Sequence, residues 1–192
     1  MQKNPTQLPE HYREILQIDL QKNKKLALLV NGLALIIAAA MFIPAACRVP
    51  LSTFFETTEL GLYFAKLGAL LAGMVLYLVL HELVHGICMR AFSGVRPHYG
   101  FTGLYAYAGS SAYFGKKPYI VIALAPIVVW GAVLAILNLL VPASWFWPVY
   151  FIQIINVSGA AGDLYVTCRL GKLPPDILVR DSGVSMTVYS SR

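Results

Sequence analysis

Four apolar stretches separated by polar links constrain this chain more than any other feature. They run from about 26 to 44, 60 to 92, 119 to 141 and 146 to 170. A helix needs roughly 20 apolar residues to cross a ~30 Å hydrocarbon core, and each stretch is near or above that length. In lipid every backbone N–H and C=O must be satisfied within the segment, so such a stretch is helical. Only 12% of the residues are charged, and the mean hydropathy is +0.65; soluble domains carry about twice that charge. The sequence predicts an all-α membrane protein, with one membrane-embedded domain over residues 1–192.

Lysine and arginine set the orientation. The N-terminal flank holds Lys3, Arg13, Lys22, Lys24 and Lys25. The link after the second span holds Arg90, Arg96, Lys116 and Lys117, and the tail holds Arg169, Lys172, Arg180 and Arg192. The opposite side has only Arg48, with Lys66 close enough to the span end to snorkel. This pattern puts both termini and the 93–117 link in the cytoplasm. The net charge of +6 is accounted for without nucleic acid. Cys47, Cys88 and Cys168 are odd in number and lack metal or redox spacing, so no disulfide framework is expected.

The polar regions carry local signals. Pro9-Glu10 opens a stretch in which Tyr12, Ile15, Leu16 and Leu20 give a modest apolar face; residues 1–25 read as an interfacial helix, or else a loose tail. Leu26 to Pro44 leads to Ala45-Ala46-Cys47 as a signal peptide would, but its long charged leader favours a retained span. In 93–117, Gly94, Gly100, Gly103, Gly109 and Gly115 punctuate Tyr99, Phe101, Tyr105, Tyr107, Tyr113 and Phe114. That pattern predicts a short cytoplasmic-side β-hairpin or re-entrant segment dipping toward the site described next; a headgroup-level loop with an aromatic belt is the plainer reading. Pro126 interrupts the third span, and Trp145 and Trp147 mark an interface. In the tail, 171–192, Val184 to Tyr189 alternates as a short C-terminal strand.

The second span carries His81-Glu82-Leu83-Val84-His85-Gly86 near its far end. Two histidines four apart lie on one helix face, one turn above the other. They can grip one metal ion, and the glutamate beside the first can reach a water there without being a ligand: the H-E-x-x-H arrangement of zinc hydrolases. The pentapeptide alone has many chance matches. Inside a membrane span, however, ionisable groups are costly and mark function by default. The bland alternative is a helix end pairing with headgroups or loops.

A catalytic zinc takes three protein ligands, so one remains to be found. Asp163 is the first candidate, as the only other acidic residue within a span. His81 lies nine residues before Arg90 and Asp163 six before Arg169, about 13 and 9 Å along a helix; both fall in the cytoplasmic half. Ser158-x-x-x-Gly162 offers a small face for close helix approach, and glycines there can unwind the helix. Cys88 and His98 are rivals. Asn156 and His98 are candidates for oxyanion stabilisation or substrate positioning.

These residues give the chain a resemblance to a bacterial family of small membrane proteins described as zincin peptidases. The matching pieces are His81 to Gly86, Asn156 to Tyr165, Pro175-Asp176, and Asp181-Ser182-Gly183 with Met186, Val188 and Tyr189. The arrangement is also similar to site-2 proteases, which carry H-E-x-x-H on one span and an aspartate on a later one. It departs from them in lacking an Asn-Pro-Asp-Gly-type segment; here Leu164 follows Asp163. The resemblance implies His81, His85 and Asp163 as zinc ligands and Glu82 as the general base. It implies a peptidase acting on a membrane protein or peptide substrate at the lipid bilayer. A non-catalytic zinc-stabilised scaffold or adaptor is the main alternative, though a scaffold has no need of Glu82. A transporter lacks an evident path, and no G-x-S-x-G segment supports a serine hydrolase.

Overall fold

The structure, a computed structural model, describes residues 6–56, 59–103 and 105–191. Lys3 and Arg192, used in the charge argument, lie outside the described residues. Strand β1 (Arg13–Ile18) comes first. The Asp19 carboxylate then accepts from the Gln21 and Lys22 N–H groups and turns the chain. The Asn23 side chain accepts from Leu26 N–H at 3.0 Å and caps α1 (Lys24–Arg48). A one-turn helix, α2 (Ser52–Phe55), leads to the long α3 (Leu60–Ser93). Gly94, at φ 74°, stops α3 in the left-handed conformation that glycine adopts without strain. Strands β2 (His98–Phe101), β3 (Ala106–Gly109) and β4 (Tyr113–Gly115) follow. The rest is α4 (Lys116–Leu140), a 3₁₀ turn (Ala143–Trp145), α5 (Phe146–Gly159), α6 (Ala161–Gly171), β5 (Leu178–Asp181) and β6 (Met186–Ser190).

Four helical segments are long and apolar enough to cross a membrane: 24–48, 60–93, 116–140 and the broken pair 143–171. Their outer faces expose Leu28, Ile36, Leu78, Val79, Val128 and Leu139. In water each such side chain would forgo roughly 1.5–3 kcal/mol of burial; against lipid that loss disappears. These four apolar helices sit where the sequence puts them. The overall class is broader than all-α, because a small sheet joins the helices.

Every strand connects to the α1 start, the α3 end, the α4 start or the α6 end. The strands therefore collect at one end of the bundle. β1, β6, β5 and β4 form an antiparallel sheet in that order, and β2–β3 form a separate hairpin. Phe114, Val179 and Val188 are fully buried in the sheet and pack with Met89 of α3, Ile122 of α4 and Leu170 of α6. At the opposite end Trp147, Phe54 and Ala45 form a second core with Phe42 and Phe151.

Several local expectations are corrected here. Residues 13–18 are a strand, not an interfacial helix: Leu16 and Ile18 alternate inward onto the sheet core once β6 is present to pair with. The glycine-rich link does form a hairpin, but its last part departs as β4 into the larger sheet. Pro126 lies within a continuous α4. Trp147 is buried, and its indole N–H donates to Pro50 O at 3.2 Å. Lys66 does not snorkel. It is fully buried, and its ammonium donates to the carbonyls of Thr53 and Phe54 at 3.5 and 3.4 Å, where cations suit the end of a helix. The hairpin glycine Gly103, at φ 89°, turns the β2–β3 link.

Truncation in the sheet core should be costly. Phe114→Ala is expected to destabilise the protein by about 3–5 kcal/mol, read as a lowered midpoint of thermal unfolding in detergent. Phe64→Ala, at a side chain 59% exposed, should shift that midpoint little.

Candidate metal centre

Tyr77, His81 and His85 recur every four residues on α3, so they stack on one face. All three are buried. His85 Nδ1 lies 2.9 Å from the Ile122 carbonyl of α4. A carbonyl only accepts, so Nδ1 carries a proton, and in the neutral ring Nε2 is then the free acceptor. His81 Nδ1 lies 2.8 Å from the Tyr77 hydroxyl. That hydroxyl also reaches Asn156 Oδ1 at 3.1 Å, while Asn156 Nδ2 donates to Ile127 O at 3.2 Å. The Ile127 bond fixes the amide orientation, so Oδ1 must accept the one Tyr77 proton. Tyr77 then accepts from His81 Nδ1–H, and His81 Nε2 is bare as well. The two Nε2 atoms thus face each other across 3.1 Å.

Asp163 faces this pair. Its Oδ2 is 3.5 Å from His81 Nε2, and its Oδ1 is 3.6 Å from His85 Nε2. The helix carrying it is broken: α5 ends at Gly159, Ala160 leaves helical geometry at ψ 18°, and α6 restarts. Asp163 therefore sits in the first turn of α6. A carboxylate there gains roughly 0.3–1 kcal/mol from the unsatisfied N–H groups of the helix start. Gly162, expected to allow close helix approach, has open space beside it. It borders a cavity of about 180 Å³ shared with Asp163, Tyr119 and Asp181.

The donor set fits a divalent cation. His81, His85 and Asp163 offer ligand atoms all within 4.8 Å of one another. Tetrahedral zinc with ligands at ~2.0–2.1 Å has ligand–ligand edges of about 3.3 Å; the spacings above, 3.1 to 3.6 Å, bracket that value.

Glu82 is half-buried beside this cluster. Its carboxylate accepts the Ala108 backbone N–H of β3 and lies in the field of both histidines and Asp163. Tyr99, paired with Ala108 across the hairpin, brings its hydroxyl onto Gly86. A Cβ at Gly86 would collide with that hydroxyl, so the glycine ending the motif admits the hairpin. Partial burial and the Glu82 charge both raise the Tyr99 phenol above its ordinary value, keeping it a proton donor.

The other candidates lie elsewhere. His98 Nε2 is 3.2 Å from Ser182 O at an exposed position, and Cys88 packs against the sheet core; neither joins the cluster. Asn156 is fully buried with its amide committed to Tyr77 and Ile127. In this arrangement Asn156 orients Tyr77. Tyr77 was missed in the sequence, although its place four residues before His81 was a usable signal. Asp181 accepts from the Tyr119 hydroxyl and, at 2.7 Å, from Gly183 N–H. Burial pushes its carboxyl up, against those two donors. It ties the β5–β6 turn to α4.

With this geometry in place, similarity to known proteins adds a class. Residues 74–178 match the family described as "Putative zincin peptidase". That is more than half of the 192 residues, and the chain belongs to this family. A Pyrococcus woesei protein, "Uncharacterized 24.7 kDa protein in gap 5'region", is 31% identical over 118 residues, which cover 59% of this chain and 51% of the relative. The chain thus spans about half the length of the curated relative it matches. No solved structure matches.

The Tyr77 hydroxyl should matter for metal retention. Tyr77→Phe leaves His81 Nδ1 without its partner and is expected to weaken zinc binding about tenfold or more, measured by chelator competition on the purified protein.

Proposed function

We propose that this protein is a membrane-embedded zinc peptidase of the bacterial plasma membrane, a single domain with both termini cytoplasmic. His81, His85 and Asp163 would hold the metal, and a membrane-associated protein would be the substrate. The observation that carries this reading is the convergence of two bare Nε2 atoms and one carboxylate at zinc-ligand spacing. It comes with a glutamate adjacent in sequence and held by a separate element.

Zinc bound there would supply Lewis acidity, lowering the pKa of water toward neutrality and polarising a carbonyl. The remaining work falls to the protein. Glu82 takes the proton of the attacking water on its carboxylate and delivers it to the leaving amine nitrogen. The Ala108 N–H holds that carboxylate in place. The paired Nδ1 contacts orient both imidazoles. A peptide bond inside a substrate helix is shielded by its own hydrogen bonds, so the segment must be extended first. The outer edge of β2, unpaired within its two-stranded sheet, would receive the extended segment by strand addition. The motif order, H-E-x-x-H on one apolar helix and an aspartate on a later one, supports the same reading.

Metal analysis in detergent is the primary test. The wild type should carry one zinc per chain; Glu82→Gln should retain it, and Asp163→Ala should lose most of it. Turnover of an identified substrate should fall at least about 10²-fold in Glu82→Gln. Full turnover in that variant removes Glu82 as the base, and equal zinc in both variants removes Asp163 from the ligand set. For the edge strand, Gly100→Val pushes a side chain into Tyr107 and should lower turnover with zinc content unchanged. Unaltered turnover would argue against strand addition.

A further inference from the structure

In an α-helix each carbonyl accepts from the N–H four residues on. Proline has no N–H. Pro126 therefore leaves the Ile122 carbonyl of α4 without its helical partner. Ile122 is 1% exposed, so water does not replace that partner, and buried backbone carbonyls are seldom left unpaired. The group that comes to it is His85 Nδ1, at 2.9 Å. Pro126 is itself among the fully buried side chains.

We propose that Pro126 is a positioning residue for the metal centre: by freeing the Ile122 carbonyl it fixes the tautomer and ring direction of His85. The proposal rests on reading His85 as a metal ligand, but it makes a separate claim. A carbonyl already engaged by its own helix is a weaker acceptor for an incoming N–H. With alanine at position 126, the new N–H competes for the Ile122 oxygen, and His85 is less firmly held with Nε2 bare. Outer partners of this kind typically change metal affinity 10- to 100-fold. A proline in an apolar helix is otherwise read as a bend, and bending alone predicts nothing about which imidazole nitrogen carries the proton.

Pro44 supplies the comparison. It also lies inside a spanning helix, α1. Its freed carbonyl belongs to Ala40, an exposed position, and no histidine occurs near it in the chain.

The experiment uses the full chain in detergent micelles, labelled with ¹⁵N-histidine. Only four histidines are present, and single substitutions assign their signals. In the metal-free wild type at alkaline pH, where the imidazole is neutral, His85 should show the Nδ1–H tautomer. Pro126→Ala should show a mixture of tautomers and a zinc Kd raised about tenfold by chelator competition. Pro44→Ala should change neither. An Nε2–H tautomer in the wild type overturns the proposal, even if Pro126→Ala fails to fold. A raised Kd with an unchanged tautomer assigns Pro126 to packing and overturns it too, as does an equal effect of Pro44→Ala. Should the wild type bind no zinc, the metal reading of the site fails, while the tautomer measurement still decides the role of Pro126.

Discussion

The contact on which the rest of this structure depends is the pairing of each histidine's far nitrogen with a group from another helix. His85 Nδ1 is held by the Ile122 carbonyl of α4, and His81 Nδ1 is held through Tyr77 by Asn156 of α5. In an apolar bundle, polar groups have few alternatives to one another. The bonds that prepare the metal centre are therefore also the bonds that join α3 to α4 and α5. Holding both Nδ1–H groups turns both Nε2 atoms toward one point, where Asp163 also lies: a donor set suited to a cation.

The fourth span contributes by being discontinuous. A straight helix through 146–171 would have its backbone groups satisfied throughout, with no helix start inside the bundle. The break at Gly159 and Ala160 creates one, and Asp163 falls in its first turn. Irregular backbone inside an apolar bundle is tolerated where it is enclosed by protein or borders a cavity. Ala160 and Ala161 are each 1% exposed, and Gly162 and Asp163 border the cavity.

The strand-bearing end closes the centre from outside the helices. The β2–β3 hairpin seats Tyr99 on Gly86 and lends the Ala108 N–H to Glu82. The larger sheet anchors the ends of α3, α4 and α6 through Met89, Ile122 and Leu170. It is built from both ends of the chain, since β1 pairs with β6. The family match covers residues 74–178, which hold every member of the metal cluster but neither β1 nor β6. The flanks thus add the outer strands of a sheet whose core packs on the helices that carry the cluster.

What the sequence by itself determined is whatever local period and composition dictate. Span lengths follow from runs of apolar residues, and the histidine pair follows from a four-residue spacing on a helix. The hairpin was legible because glycine and aromatic residues alternate there. Asp163 was legible as a rare acid inside a span. What only the tertiary structure decided is each feature that depends on a distant partner. Residues 13–18 read as a helix until β6 supplied a ladder for them. The bonds from Asn156 to Tyr77 and Ile127 had no signal in the sequence. Lys66 passed for a snorkelling cation until the Thr53 and Phe54 carbonyls took its ammonium. Pro126 passed for an interruption until its missing N–H was matched to His85. Hydrogen bonds between segments far apart in the chain leave no periodic trace in it, because their partners are chosen by packing and not by spacing.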